Sequence, residues 1–204
     1  TQKTEILKEV GYMPSEASFY PTMKVKDVIR FAADMHRKDC SEEAGRLCEK
    51  LQVDTRKKIQ ELSLGNRKKV SIVCALQHQP KLLILDEPTS GLDPLMQDIF
   101  FRLLQEANKK GVTCFLSSHV LAEVKKYCRN AAIIKDGKIL RVDTVENLSH
   151  TNLRLVKTWK DGKEEHFTHD GTMKELLKKL TAMEPEDVLI EEPSLEELFM
   201  QYYD

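Results

Sequence analysis

The chain has 204 residues, of which 41% are hydrophobic and 32% are charged, and its formal net charge is −1. This composition is typical of a globular protein, and the length allows one large or two small domains with a sizeable core. The near-zero charge excludes an overall electrostatic attraction to nucleic acid or to an anionic membrane, and no apolar run reaches the length of a membrane span.

The beginning of the chain predicts one strand followed by helices. Val10–Met13 is expected to form a strand that Pro14 ends. Apolar residues at helical spacing predict a first helix over Lys26–Arg37, and Ser41 is the predicted N-cap of a second. The whole stretch Glu16–Leu62 is therefore expected to be compact and helical.

The next segment, Leu62–Asn66, has the sequence LSLGN and precedes an apolar helical stretch, Val70–Leu76. Small residues that open a helix leave backbone N–H groups and the positive end of the helix dipole available to an anion. Ser-x-Gly is common, so this segment gains significance only from its surroundings. The basic cluster Arg67–Lys69 is interpreted as a solvated face, with attraction to a triphosphate or a partner as the alternative.

A short apolar run, Leu82–Leu85, predicts a buried strand of a parallel sheet, which Asp86 and Glu87 follow directly before Pro88. Two acids at a strand tip are costly to bury unless a metal or a polar substrate takes up their charge. The carboxyl ends of strands in open α/β sheets are also where ligands bind. The alternative interpretation is an ordinary acidic turn after a core strand.

The elements after this strand continue the α/β pattern. A helix is expected from Pro94, at its first position, to about Lys110. Val112–Leu116 then predicts another buried strand, which leads into Ser117-Ser118-His119. A further helix is expected over Val120–Tyr127, and a hairpin that turns at Asp136-Gly137.

The last fifty or so residues predict a small α+β tail. A second hairpin is expected at Asp161-Gly162, then a helix over Met173–Leu180 and a short strand at Val188–Ile190. A terminal helix over Leu195–Tyr203 is predicted to carry a capping box formed by Ser194 and Glu197.

In order and spacing, these segments resemble the ATP-binding-cassette (ABC) ATPase family. Leu62–Asn66 is similar to its signature motif, and we call it the signature segment; Leu82–Glu87 resembles its Walker B motif. Ser90–Asp93 resembles its D-loop and His119 its switch histidine. The ending of the chain resembles the ATPase subunits of the exporter branch.

The resemblance implies an α/β fold: an incomplete P-loop ABC-type ATPase domain with parallel core strands, over residues 1–150. A helical subdomain is expected over about 17–77, and a small α+β C-terminal subdomain over 151–204. No GxxxxGK[ST] pattern occurs in the sequence, so the phosphate-binding Walker A loop and its Lys are missing. With Thr1 as its first residue, the chain is expected to be an N-terminally truncated piece that is inactive by itself.

The family assigns roles to residues at the predicted strand ends. Asp86 would orient Mg²⁺, Glu87 would act as the general base toward water, and His119 would contact the γ-phosphate and the base. Ser15 stands where the family has the Q-loop Gln, followed by Glu16. Either of these two residues could take the place of that Gln.

The family also implies an ATP-sandwiched dimer. Ser63, Leu64, Gly65 and Asn66 would bind the γ-phosphate of ATP held by the opposite subunit, and Asp93 would communicate across the dimer. Leu64 and Asn66 replace the Gly and Gln that are commoner in the family.

The function that the resemblance implies is ATP binding and hydrolysis, with ATP and Mg²⁺ as cofactors, coupled to export. The partners would be a transmembrane permease subunit and a second ATPase subunit, in a homodimer or heterodimer, and no nucleic acid. The location would be cytoplasmic, peripheral on the inner face of the cell membrane. The alternatives are a soluble ABC ATPase of translation or repair, and a non-catalytic interaction module.

Overall fold

The computed structural model describes residues 2–16, 18–149 and 152–193. The chain forms two compact units, Thr1–His119 and Val120–Asp204, so compactness divides it earlier than the predicted domain boundary at 150. That boundary remains a prediction. The predicted terminal helix and its capping box lie outside the described residues.

The first unit contains a three-stranded parallel sheet, which confirms the α/β class. Strand β1 (Val10–Met13) pairs with β2 (Leu82–Asp86), and β2 pairs with β3 (Thr113–Ser117), so β2 is central. Leu83 and Leu85 are buried in the core, as expected for a central strand. Because all three strands run the same way, their carboxyl ends meet at one edge of the sheet.

Helices fill the connections between these strands. Between β1 and β2 the chain forms three helices and one 3-10 turn, and one long helix joins β2 to β3. The elements are α1 (Gln2–Lys8), α2 (Val25–His36), α3 (Ser41–Lys50), the 3-10 turn Ile59–Glu61, α4 (Leu64–Leu76) and α5 (Pro94–Lys109).

The start of α3 differs from the prediction. Ser41 is the first helical residue and not the N-cap, a position that Cys40 occupies. The reason is local: the carboxylate of Asp39 accepts a hydrogen bond from the Ser41 backbone N–H at 2.9 Å. The side chain that bonds to a backbone N–H at the start of α3 is therefore that of Asp39.

The second unit holds two antiparallel sheets and three helices within the described residues. Its first hairpin turns at Asp136-Gly137 and its second at Asp161-Gly162, as predicted. All four turn residues have positive φ, between 50° and 73°, as a type I′ turn requires. The elements are α6 (Leu121–Tyr127), β4 (Asn130–Lys135), β5 (Lys138–Thr144), α7 (Val145–Ser149), β6 (Leu153–Lys160), β7 (Lys163–Asp170), α8 (Met173–Met183) and β8 (Asp187–Glu191).

The larger of these sheets has the order β7-β6-β8. Leu176 and Leu180 of α8 pack with Val156 of β6 in a small core. Across the described ranges, no helix combines the length and apolar character needed to cross a membrane.

Candidate functional site

The candidate site lies at the carboxyl edge of the parallel sheet, where the predicted residues of three separate segments meet. Asp86 is the last residue of β2 and Glu87 follows it, while Ser117 ends β3 two residues before His119. Ser15 follows β1 by two residues. The parallel register thus brings Ser15, Asp86, Glu87 and His119 to the same edge.

Asp86 is surrounded by hydrogen-bond donors. The Ser117 hydroxyl donates to its Oδ1, and the hydroxyl and the backbone N–H of Ser15 face the carboxylate. These donors, Ser117 first, hold the pKa of Asp86 below its ordinary value, with a smaller contribution from the charge of Lys68. Asp86 is therefore an anion at neutral pH.

Glu87 has an unusual backbone conformation and a defined side-chain partner. Its φ of 44° lies in the left-handed region, which residues other than Gly rarely adopt. Its backbone N–H donates to the carbonyl oxygen of Ser117, at 3.2 Å. Glu87 Oε2 lies 2.8 Å from Nδ1 of His119, whose N–H must be the donor because a carboxylate only accepts. The side chain of His119 is 77% exposed and that of Glu87 is 26% exposed.

The signature segment forms the exposed start of α4. The helix begins at Leu64, with Ser63 as its N-cap. The Ser63 hydroxyl accepts a hydrogen bond from the Asn66 N–H at 3.4 Å, and Leu64 is 60% exposed. The first turn of this thirteen-residue helix is thus accessible, with its dipole directed outward.

Gly65 packs against the D-loop segment of the same chain. A methyl group at Gly65 would lie 2.5 Å from the carbonyl oxygen of Gly91, so only glycine fits this approach. Asp93 has a structural contact as well: its Oδ1 accepts the N–H of Met96 at 3.0 Å and caps α5. The structure therefore joins the signature segment to the D-loop.

Lys68 is a residue of this region that the sequence interpretation missed. In place of the solvated face expected for the basic cluster, its side chain is only 3% exposed, and its Nζ donates to the carbonyl oxygen of Ser15 at 2.7 Å. The helical repeat could have predicted this burial, because Lys68 lies four residues before Ile72 on the buried face of α4.

The donor set at this edge fits Mg²⁺. Within the residues described, no group of three or more His, Cys, Asp or Glu side chains is arranged to hold a metal alone. Mg²⁺ does not need one, because it is held by one or two carboxylates together with water and substrate phosphates. Asp86, with the Ser15 hydroxyl beside it, offers the hard oxygen ligands of such a site.

Comparisons with known proteins show which family the sequence resembles. Residues 1–90 match the family model described as ABC transporter. An uncharacterized ABC transporter ATP-binding protein of Bacillus subtilis, YhaQ, is 36% identical over 138 residues, which cover 65% of this chain and 46% of that protein. The bacitracin transport ATP-binding protein BcrA of Bacillus licheniformis is 33% identical over 159 residues, covering 76% and 52%.

The fold leads to the same family. A solved ATP-binding subunit of an ABC transporter superposes with a TM-score of 0.67 at 27% identity, over 72% of this chain and 63% of that one. The sequence over residues 1–90 and the fold are those of the ABC transporter ATPase family. It spans about half the length of the curated relatives it matches.

Proposed function

We propose that this chain is part of the ATP-hydrolysing subunit of an ABC transporter that exports its substrate through a membrane partner. The observation that carries the proposal is the contact between Glu87 and His119, 2.8 Å long, directly beside an ionised Asp86. A carboxylate held in place by an imidazole, next to a second carboxylate suited to Mg²⁺, is an arrangement that activates water near a phosphate.

Each residue would have one task in hydrolysis. Asp86 would orient Mg²⁺ through a water molecule, and the bound ion would neutralise charge that develops on the phosphates. Glu87 would take the proton of the attacking water. His119 would hold the Glu87 carboxylate in position and contact the γ-phosphate, and Ser15 would take the place of the family's Q-loop Gln.

The signature segment would serve a different ATP molecule. Ser63, Leu64, Gly65 and Asn66 would bind the γ-phosphate of ATP held by a second ATPase subunit, and Asp93 would communicate across the dimer. The exposed first turn of α4, with its backbone N–H groups and dipole, supports this role. Two such subunits would then enclose two ATP molecules.

A transmembrane permease would be the second partner, with the subunit on the cytoplasmic side of the membrane. The relative BcrA is named for bacitracin transport, which supports an export function. The 204-residue chain by itself would bind Mg-ATP with at most millimolar affinity and would not hydrolyse it. The reason is that the Walker A loop supplies most of the contacts with the triphosphate. Calorimetric titration of the isolated chain tests this, and micromolar binding would contradict it.

The test of the proposed chemistry is Glu87→Gln in the whole protein. The substitution keeps the shape and removes the base, so hydrolysis should fall by at least about a hundredfold while ATP binding persists. Glu49→Gln, an exposed residue of α3, is the matched control and should retain the activity of the unmodified protein. Hydrolysis by the Glu87→Gln variant near the unmodified rate would show that Glu87 is not the base.

A further inference from the structure

Lys68 is a buried cation whose partner lies far away in the sequence. It is 3% exposed, in the second turn of α4, and its Nζ donates to the carbonyl oxygen of Ser15, 53 residues earlier, at 2.7 Å. Burial of an ammonium group is unfavourable unless hydrogen bonds or opposite charges compensate for the lost water. A buried lysine is therefore expected to have compensating hydrogen bonds or opposite charges close by.

The surroundings supply opposite charge. Burial lowers the pKa of Lys68, while the carboxylates of Asp86, Glu87 and Glu16 act in the opposite direction. Asp86 is in turn stabilised as an anion by Lys68. The cation thus faces the acidic pair of the candidate site from the side of α4.

Ser15 connects the two sides. Its carbonyl oxygen accepts the bond from Lys68, and its hydroxyl and N–H face Asp86 and lower the pKa of that carboxylate. A serine side chain is short, so its hydroxyl stays near the carboxylate only if the backbone of the segment after β1 is held at the right place. The bond from Lys68 to the carbonyl of the same residue is placed to hold that backbone.

We propose that Lys68 is a positioning residue that links α4 to the metal-site carboxylate, through the backbone of Ser15. The helix that begins with the signature segment is thereby connected to Asp86 of the same subunit. Lys68 of this helix contacts the backbone of Ser15, and Ser15 faces Asp86. Displacement of α4 would move Ser15 and change the hydrogen bonding of Asp86. This inference rests on the proposed function only for its effect on hydrolysis, since the link itself is a property of the fold.

The first experiment tests the link without nucleotide. Amide hydrogen exchange of Ser15 and Glu16 is compared between the unmodified protein, Lys68→Met, Lys68→Arg and the control Lys69→Met. Loss of a bond from a charged donor should accelerate exchange in this segment roughly tenfold in Lys68→Met. The Arg variant, which keeps a cationic donor, should recover most of the protection, and Lys69→Met should change nothing.

The second experiment tests the effect on the reaction. In Lys68→Met the Mg²⁺ concentration needed for half-maximal hydrolysis should rise roughly tenfold, with a smaller change in the KM for ATP. Ser15→Ala should produce a similar rise, and the double variant should be no worse than either single one, because both remove the same link. If Lys68→Met does not fold, Lys68→Gln, also uncharged, is measured in its place.

The outcomes separate the two proposals. Unchanged exchange of Ser15 and Glu16 in Lys68→Met overturns the link whether or not ATP is hydrolysed. Additive effects of Ser15→Ala and Lys68→Met on the Mg²⁺ requirement overturn the route through Ser15. Accelerated exchange in a whole protein that never hydrolyses ATP would support the link and overturn the proposed function.

Discussion

At the scale of single residues, the site combines backbone strain with a fixed side-chain contact. Glu87 has a φ of 44°, a conformation that costs an L-residue on the order of 1 kcal/mol or more. The surrounding structure maintains it through the backbone bond to Ser117 and the contact with His119. Such strain is common where a side chain must be aimed at a ligand.

Because of this strain, substitution by glycine should change the free energy of unfolding in opposite directions at Glu87 and at Glu49. Glu87→Gly should raise the free energy of unfolding by about 1 kcal/mol, because glycine adopts positive φ without penalty, while it abolishes hydrolysis. Glu49→Gly, inside α3, should lower the free energy of unfolding by about 1 kcal/mol. Urea unfolding of both variants checks the prediction. A loss of stability in Glu87→Gly as large as in Glu49→Gly would show that the conformation is not strained.

The residues of the site differ in how well the sequence predicted them. The acids and His119 follow apolar runs that form parallel strands, and parallel strands end at one edge, so their proximity was predictable from order alone. The expected burial of the strand before His119 was wrong, because β3 has no buried residue and Phe115 is 64% exposed. The contact between Gly65 and Gly91 was not, because both lie in loops or helix starts whose approach depends on tertiary packing. Lys68 was missed because a run of three basic residues is usually solvated, whereas helical period places one of them inward.

At the scale of elements, α5 depends on its first residues. Asp93 caps the helix through the Met96 N–H, and Pro94 at the first position has no N–H to leave unsatisfied. This contact gives Asp93 a structural role in addition to the proposed role across the dimer.

The cap predicts a stability difference between two substitutions. Asp93→Ala should lower the free energy of unfolding by about 1 kcal/mol, whereas Asp93→Ser should retain most of it because serine also caps helices. Chemical denaturation of the two variants measures this. An Asp93→Ala variant as stable as the unmodified protein would mean that the cap contributes nothing. Lower ATPase activity in Asp93→Ser at unchanged stability would instead favour the role across the dimer.

The ends of α2 and α4 meet through a pair of histidine rings. His36 and His78 stack with their centroids 3.6 Å apart, and His78 Nε2 lies 3.2 Å from the Val10 carbonyl oxygen. Burial, assisted by the charge of His36, lowers the pKa of His78 to about 4. His78 is therefore neutral in the fold at a pH where the unfolded chain already binds a proton.

The lowered pKa of His78 predicts that the stability of the fold decreases as the pH falls. Above pH 6.5 His78 is neutral in both states and the contribution is constant; as the pH falls from 6.5 to about 4, the unfolded chain gains a proton first. Stability should decrease over this window, by on the order of 3 kcal/mol from this group. His78→Phe should reduce the slope and the exposed His166→Phe should not, as measured by urea unfolding at several pH values. Equal slopes in all three proteins would contradict the burial argument.

The elements themselves were largely predictable. Short apolar runs predicted the strands, and the Asp-Gly pairs predicted both hairpins because type I′ turns require two positive φ values. The N-cap of α3 was predicted wrongly by one residue, because Ser41 is itself helical and its N–H donates to the carboxylate of Asp39. In β6 the alternation of apolar and polar residues is weak, and the structure buries Val156 and Thr158.

At the scale of the whole molecule, the proposed function gives the chain two surfaces that would contact different ATP molecules. The carboxyl edge of the sheet carries the acids that would act on ATP held by the same subunit. The start of α4 carries the signature segment that would contact ATP held by the other subunit. The central claim is that one ATP site takes residues from both subunits.

The most direct test combines two inactive variants of the whole protein. Asp86→Ala removes the metal-site carboxylate, and Ser63→Asp keeps a helix cap but opposes a phosphate with negative charge. Ser63→Thr, a neutral cap, is the control and should remain active. Heterodimers of the two inactive variants are isolated with different affinity tags, and their ATP hydrolysis is compared with that of each homodimer. A shared site predicts recovery, because one of the two sites then has Asp86 and Ser63 both intact. Activity no higher than in either homodimer would contradict the account, since sites built within one subunit would both remain defective.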